Sequence, residues 1–252
     1  MDREQAFRDG QAVRERFGRT GSVRPGLSGV PEFQEIATEL TFGSVWARPG
    51  LDLRDRMLAT LSALNVLQRL NQLPSYVAAA LKVGLSPAEV QETLLQGAFL
   101  AGFPAATNAL TIAQDVFENQ ELAAPPVERS NERLADLERR GAELRASLGM
   151  GGGEADGEAA SSLDQALAQL SDRYELGLLW QRPGLDRKSR ALVGLAGATA
   201  LGDVAGAEQY RAAAAACGWT EGEIREILLQ VAPYAGFPPV RKVARLLQAE
   251  RG

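Results

Sequence analysis

The residue types that could carry chemistry in this chain are limited by two absences. Among its 252 residues there is no histidine, and Cys217 is the one cysteine. A Ser-His-Asp triad, a histidine-rich zinc site and a redox pair of thiols are therefore excluded. Acid–base chemistry must come from Glu, Asp, Tyr or Lys side chains, or from the substrate. Cys217 precedes a predicted helix-ending Gly218 in an alanine-rich stretch, which indicates an inert packed thiol.

Two Trp-x-Arg-Pro-Gly sequences, which begin at Trp46 and Trp180, contain candidates for substrate binding. Pro and Gly predict a turn, with the Trp packed beneath it. The arginines of these turns, Arg48 and Arg182, could hold a carboxylate through two parallel hydrogen bonds. The alternative is a salt bridge between helices.

Two glutamates, Glu92 and Glu226, lie where a predicted helix turns towards the interior. Each could pair with an arginine of its own half of the chain, Glu92 with Arg56 and Glu226 with Arg190. A buried ion pair is one interpretation. The other is a glutamic acid with a raised pKa that exchanges protons with a substrate.

The elements that must position these side chains occur twice. The sequence from Trp46 to Pro104 recurs from Trp180 at an offset of 134, with 25 identities in 59 positions. This similarity indicates a duplicated module. The consecutive prolines at 125 and 126 mark the boundary, which predicts one module over 1–124 and another over 127–252. A glycine-rich acidic segment at 149–162 is expected to form a loop.

Helical signals dominate both modules. Leucines recur every third residue from Leu58 to Leu67, which predicts a helix with an apolar face. Pro74 near the start and Gly84 at the end delimit the next helix. The expected N-caps are Asp52, Ser86, Asp186 and Thr220, the second and fourth forming capping boxes with Glu89 and Glu223. No alternating strand pattern occurs, so the predicted fold class is all-α.

Composition limits the partners and the compartment. Apolar residues make up 45%, charged residues 23%, and the net charge is −5. The arginines are interleaved with acidic residues, which argues against a nucleic-acid partner. No apolar run reaches the roughly 18 residues that a membrane span needs. The charged N-terminus lacks an apolar signal segment, so a cytoplasmic protein is expected.

The order of these motifs resembles the carboxymuconolactone decarboxylase family of the alkylhydroperoxidase D-like superfamily. Module one carries the resemblance through "FGSVWARPGLDLRDR", "AALKVGLSPAEVQETLLQ" and "AGFPAATNAL". Module two matches more loosely, through "LGLLWQRPGLDRKSRALV" and "YAGFPPVRKV". The resemblance implies a small helical enzyme that decarboxylates a cyclic lactone acid without metal or organic cofactor, in which six modules close into a ring.

This sequence departs from the family pattern at the functional positions. The family histidine corresponds to Tyr76 in module one and Tyr210 in module two. The thiol and glutamate positions of the peroxidase relatives carry other residue types: Arg69, Gln72 and Met57 in module one, and Asp203, Gly206 and Ala191 in module two. A thiol peroxidase is therefore excluded.

Tyr76 is the candidate centre of the site. A phenol can donate a hydrogen bond or protonate a carbanion, although the ring could also simply fill space. Module one has a set of polar side chains near Tyr76 that could line a pocket or form a solvated helix end: Asn65, Gln68, Arg69, Asn71 and Gln72. The matched positions of module two lack this set, so we interpret module two as a scaffold.

The resulting hypothesis is a cofactor-independent lyase, isomerase or cyclase, with decarboxylation as the reaction that the resemblance implies. Tyr76 would donate a proton and Glu92 would orient the substrate or exchange protons. The expected partner is an anionic small molecule, held by Trp46, Arg48, Asn65, Arg69 and Gln72. No cofactor or metal, no nucleic acid and no membrane are expected, and two fused modules predict a homotrimer, or else a dimer of chains. The alternative is a non-catalytic binding or scaffold protein.

Overall fold

The computed structural model describes residues 2–18, 30, 32–151 and 162–245, and the part of the chain that it describes is helical without any strand. The prediction of an all-α fold is confirmed. The helices of module one are α1 (Arg3–Arg16), α2 (Phe33–Ala37), a π-helical segment (Thr38–Trp46), α3 (Leu53–Val66), α4 (Leu73–Lys82), α5 (Pro87–Ala101) and α6 (Phe103–Glu118). Those of module two are α7 (Leu134–Ser147), α8 (Ser162–Leu170), a π-helical segment (Ser171–Leu176), a 3-10 turn (Leu179–Gln181), α9 (Arg187–Leu201), α10 (Val204–Ala216), α11 (Glu221–Ala235) and α12 (Phe237–Ala244).

The ends of these helices follow from local sequence. Ser86 and Thr220 cap α5 and α11, and each forms the expected capping box with the glutamate three residues later. Asp186 caps α9 by accepting a hydrogen bond from the amide of Ser189. Asp52 holds the same position before α3, but its side chain makes no capping hydrogen bond there. Most boundaries were therefore predictable from the residues that satisfy unpaired amides.

Pairs of glycines let the first helix of each module cross the π-helical segment at close range. A methyl group on Gly43 would lie 1.8 Å from the backbone oxygen of Ala6, and one on Gly177 would lie 2.0 Å from that of Leu137. Only a residue without a side chain fits such a crossing. The close packing fixes the π-helical segment that ends at Trp46, which is 1% exposed and packs against Phe17 with ring centroids 4.8 Å apart.

Helices α3 and α9 pack against each other at the centre of the molecule. The hydroxyl of Ser62 in α3 donates to the backbone oxygen of Val193 in α9 at 2.7 Å. A methyl group on Gly197 would lie 2.6 Å from the side chain of Leu100, so the two modules approach closely. One continuous apolar core includes residues from both modules. The sequence repeat therefore forms a single packed body.

The connection between modules has no helix between Glu118 and Leu134, where the predicted boundary falls. Most of the segment expected to form a glycine-rich loop, residues 152–161, lies outside the described residues. Within the described ranges, no helix has the length and apolar character needed to cross a membrane.

Candidate active site

Four arginines and two glutamates form reciprocal ion pairs between the modules. Glu226 of module two accepts hydrogen bonds from Arg48 at 2.6 Å and from Arg56 at 2.8 Å, both in module one. Their counterparts repeat the arrangement in the opposite direction: Glu92 of module one binds Arg182 and Arg190 of module two, each at 2.8 Å. The prediction that each glutamate pairs within its own module is wrong. The α3–α9 contact brings the arginines of one module next to α11 or α5 of the other.

These contacts are those of structural ion pairs. Arg56 and Arg190 are fully buried, and Glu92 is 3% exposed. Burial alone would raise the pKa of Glu226, but the hydrogen bonds from Arg48 and Arg56 outweigh it and lower that pKa. A carboxylate held by two guanidinium groups is a poor proton donor.

Tyr76 lies on α4 at the contact with module two. The hydroxyl of Tyr234, on α11, donates a 3.0 Å hydrogen bond to the Tyr76 oxygen, and the two rings pack edge to face at 5.5 Å. The indole Nε1 of Trp46 donates to the Tyr234 oxygen at 2.7 Å. Two predicted site residues, Trp46 and Tyr76, are thus joined by a third residue that the sequence did not single out.

Tyr234 is specific to module two. The matched position of module one, 134 residues earlier, is Leu100. Part of the Tyr234 side chain reaches solvent, whereas its hydroxyl lies between the buried side chains of Trp46 and Tyr76. Burial of the hydroxyl raises the pKa of Tyr234 well above 10, so it remains a neutral donor. The replacement of a leucine by a tyrosine at a repeated position is the one sequence signal that could have revealed it.

The other predicted site residues differ in their partners and exposure. Arg48 forms its ion pair with Glu226. Asn65 is buried, and its side-chain amide donates a hydrogen bond to the backbone oxygen of Leu94 at 2.8 Å. Arg69 and Gln72 are exposed in the turn between α3 and α4. Gln72 lies one helical turn before Tyr76, on the same side of the start of α4. The predicted polar set therefore does not converge on one pocket within the described residues.

Glu92 lies in a different place, on a groove of about 480 Å³ between α5 and α6. Arg182 of module two also lines this groove. The other lining residues are polar except for two leucines: Gln91, Leu95, Leu110, Thr111, Gln114 and Asp115. Glu92 is therefore separate in the fold from the Trp46–Tyr234–Tyr76 chain. Its predicted part in the chemistry stays a prediction.

Tyr210, the counterpart of Tyr76, has different partners. Its hydroxyl donates a short hydrogen bond to Oε1 of Glu175, and Ser171 donates to Oε2 at 2.9 Å. Both residues are more than nine-tenths buried. Burial raises the pKa of Glu175 above its ordinary value. In module one, Thr41 stands at the position that matches Glu175.

Comparison with known proteins agrees with this architecture. The family model described as "Carboxymuconolactone decarboxylase family" matches twice, over residues 31–115 and 165–249. These two matches are again offset by 134 residues. A crystal structure described as a gamma-carboxymuconolactone decarboxylase subunit from Burkholderia xenovorans LB400 has the same fold, with a TM-score of 0.55, 19% identity, and coverage of 96% of this chain and 98% of that one.

Two curated relatives are named as decarboxylases. The chain is 29% identical to 4-carboxymuconolactone decarboxylase of Acinetobacter baylyi over 133 residues, which are 51% of this chain and 99% of that protein. It is 33% identical to nitrosuccinic acid decarboxylase of Metarhizium robertsii over 95 residues, 38% of this chain and 62% of that protein. With two matches that together span more than half of its length, this chain belongs to the carboxymuconolactone decarboxylase family, as a tandem of two family modules.

Proposed function

We propose that the protein is a cofactor-independent decarboxylase of a small carboxylic acid, with Tyr76 as the proton donor. The observation that carries this proposal is the hydrogen-bond chain from Trp46 through Tyr234 to Tyr76. By the resemblance of its motifs to the family, Tyr76 corresponds to the family histidine, and its oxygen accepts a hydrogen bond from the Tyr234 hydroxyl. The proton of the Tyr76 hydroxyl itself takes no part in this hydrogen bond.

The reaction needs a proton donor next to the carbon that loses its carboxylate. When the bond between the carboxylate and the substrate carbon breaks, CO₂ leaves and the electron pair of that bond stays on the substrate carbon. Transfer of the Tyr76 hydroxyl proton to that carbon completes the product and leaves a tyrosinate, which recovers a proton from water. The hydrogen bond from Tyr234 stabilises the tyrosinate because its donor is already in place.

Binding of the acid requires cationic or amide groups beside Tyr76. Gln72 immediately before α4, one helical turn before Tyr76, and Arg69 in the turn between α3 and α4 are exposed and are the side chains suited to this role. Arg48 is held by Glu226 and serves the packing of the modules. We therefore assign the anion to Arg69 and Gln72, and Trp46 to the support of Tyr234.

The test is CO₂ release from two probe acids, 4-carboxymuconolactone and nitrosuccinate, by the wild-type protein and by Tyr76→Phe. Turnover by the wild-type protein that falls in the variant supports the proposal. An active Tyr76→Phe protein would contradict the role of Tyr76. Binding of either acid in calorimetry without any turnover would favour the alternative, a non-catalytic binding protein.

A further inference from the structure

Among the residues that the structure describes, no cation directly contacts the buried carboxyl group of Glu175. Among the described residues, its two direct partners are hydroxyl groups, those of Tyr210 and Ser171. Arg145 lies one step further away, where it donates to Ser171 at 3.1 Å and to Asp172 at 2.6 Å. Glu92 and Glu226, in contrast, each bind two arginines.

The fold does not require this carboxylate. Module one has the same crossing of its first helix and π-helical segment, and it carries Thr41 at the matched position. Burying a carboxylate without a cationic partner costs stability. Glu175 lowers stability, and module one folds in the same way without a carboxylate at this position. This combination indicates a chemical role for Glu175.

The two tyrosines at the family's functional position differ in the direction of their hydrogen bonds. Tyr76 accepts a hydrogen bond from the Tyr234 hydroxyl, whereas the Tyr210 hydroxyl donates a hydrogen bond to Glu175. A tyrosine whose proton is directed to a carboxylate presents a lone pair to an incoming acid. Module one therefore has the arrangement of a proton donor and module two that of a proton acceptor.

We propose that Tyr210 and Glu175 form a second active site, in module two, that removes a proton from carbon next to a carboxylate or another activating group. The carbon–hydrogen bond breaks, the substrate proton moves to the Tyr210 oxygen, and the Tyr210 proton moves to Oε1 of Glu175. The substrate is left as a carbanion or enolate, and Glu175 later returns its proton to the carbon or to water. The substrate class of this second site rests on the proposed function.

The surroundings of Glu175 favour its action as a base. Burial raises the pKa of Glu175, which makes its ionised form a stronger proton acceptor. The charged groups around the pair are Arg145 on α7, Asp172 in the π-helical segment and Asp203 before α10. Arg145 lowers the pKa of Glu175 and Asp172 raises it, so neither charge acts alone.

The experiment measures deuterium incorporation at carbon in the two probe acids by proton NMR in D₂O, above the rate in buffer. In Glu175→Gln the amide oxygen can still accept the hydrogen bond from the Tyr210 hydroxyl. The amide is not a base, however, so it cannot take up the proton of Tyr210. Exchange should fall by about 10²–10⁴-fold in Glu175→Gln and in Tyr210→Phe. It should stay within about twofold of wild type in the matched control Thr41→Val, which changes the residue of module one at the position of Glu175.

Each other result overturns the proposal. These results are no exchange by the wild-type protein, unchanged exchange in Glu175→Gln or in Tyr210→Phe, and loss of exchange in Thr41→Val. If Glu175→Gln does not fold by circular dichroism, Glu175→Thr, which carries the residue of module one, replaces it. CO₂ release is measured on the same samples, so a failure of the proposed decarboxylation is seen separately from a failure of this second site.

Discussion

Glu92 of module one and Arg190 of module two form a buried ion pair at 2.8 Å, and the counterparts Glu226 and Arg56 form the reciprocal pair at the same distance. The two pairs are related by the internal repeat of the chain. They link α5 to α9 and α11 to α3. The contact between modules therefore combines these ion pairs with the shared apolar core and with hydrogen bonds such as that of Ser62 to Val193.

We expect Glu92→Gln to lower the free energy of unfolding by about 3–5 kcal/mol, because it leaves the fully buried Arg190 without its carboxylate. Urea denaturation at neutral pH measures this. Glu208→Gln, at an exposed position of α10, is the control and should change stability by less than about 0.5 kcal/mol. A loss for Glu92→Gln no larger than the control would contradict a stabilising ion pair.

Tyr76→Phe should reduce CO₂ release by about 10²–10⁴-fold if Tyr76 donates the proton. It removes one hydroxyl and almost no volume, so stability should change by no more than about 1–2 kcal/mol. Tyr210→Phe, the matched control in module two, should release CO₂ at close to the wild-type rate.

The same assay tests Tyr234 as a positioning residue. Tyr234→Phe should lower kcat with little change in KM, because the substrate-binding side chains remain while the tyrosinate loses its donor. It also leaves Nε1 of the buried Trp46 without the Tyr234 acceptor. Equal activity of Tyr234→Phe and wild type would show that the hydrogen-bond chain does not serve turnover.

Stability should depend on pH through Glu175. Its pKa in the folded protein lies above the ordinary value of 4.5. At pH values between 4.5 and this raised pKa, Glu175 has lost its proton in the unfolded chain but still holds it in the folded protein. The free energy of unfolding therefore falls as the pH rises through this range. The free energy of unfolding of the wild type, relative to Glu175→Gln, should therefore decrease from pH 4 upwards and then level off. A difference that does not change with pH in urea titrations would refute a raised pKa.

Cys217 should have no part in turnover. It is partly buried in a position where burial raises the pKa of its thiol, so little thiolate forms at neutral pH. Cys217→Ser should keep CO₂ release within about twofold, and the protein should not reduce peroxides. A large loss of activity on this substitution would place Cys217 in a site.

The chain should assemble into a homotrimer, in which six modules form a ring. Both modules expose an apolar stripe at matched positions 134 residues apart, made of Phe33, Ile36 and Leu40 in module one and of Leu167, Leu170 and Tyr174 in module two. Association of copies would bury both stripes. Sedimentation should give a trimer, and Ile36→Lys should weaken it more than Leu201→Lys, an exposed position outside the stripes. A stable monomer at micromolar concentration would refute this prediction.

Local signals in the sequence determined the helices, their caps and the duplication. Ser86 with Glu89 and Thr220 with Glu223 fix helix starts because the atoms involved are three residues apart. The family followed from motifs of this kind and from their order. Such interactions depend on backbone geometry that a short stretch of chain already specifies.

Only the tertiary structure decided the partners of the side chains that could do chemistry. Trp46 and Tyr234 are 188 residues apart, and Tyr234 and Tyr76 are 158 apart. The sequence placed Glu92 with Arg56, whereas packing of α3 on α9 gave it Arg190. Pairings over such distances depend on how two helices are oriented in the core. The repeat offered one indication, since Glu175 and Tyr234 differ from Thr41 and Leu100 at matched positions. Only the packing shows that each of them contacts one of the two repeated tyrosines, Glu175 with Tyr210 and Tyr234 with Tyr76.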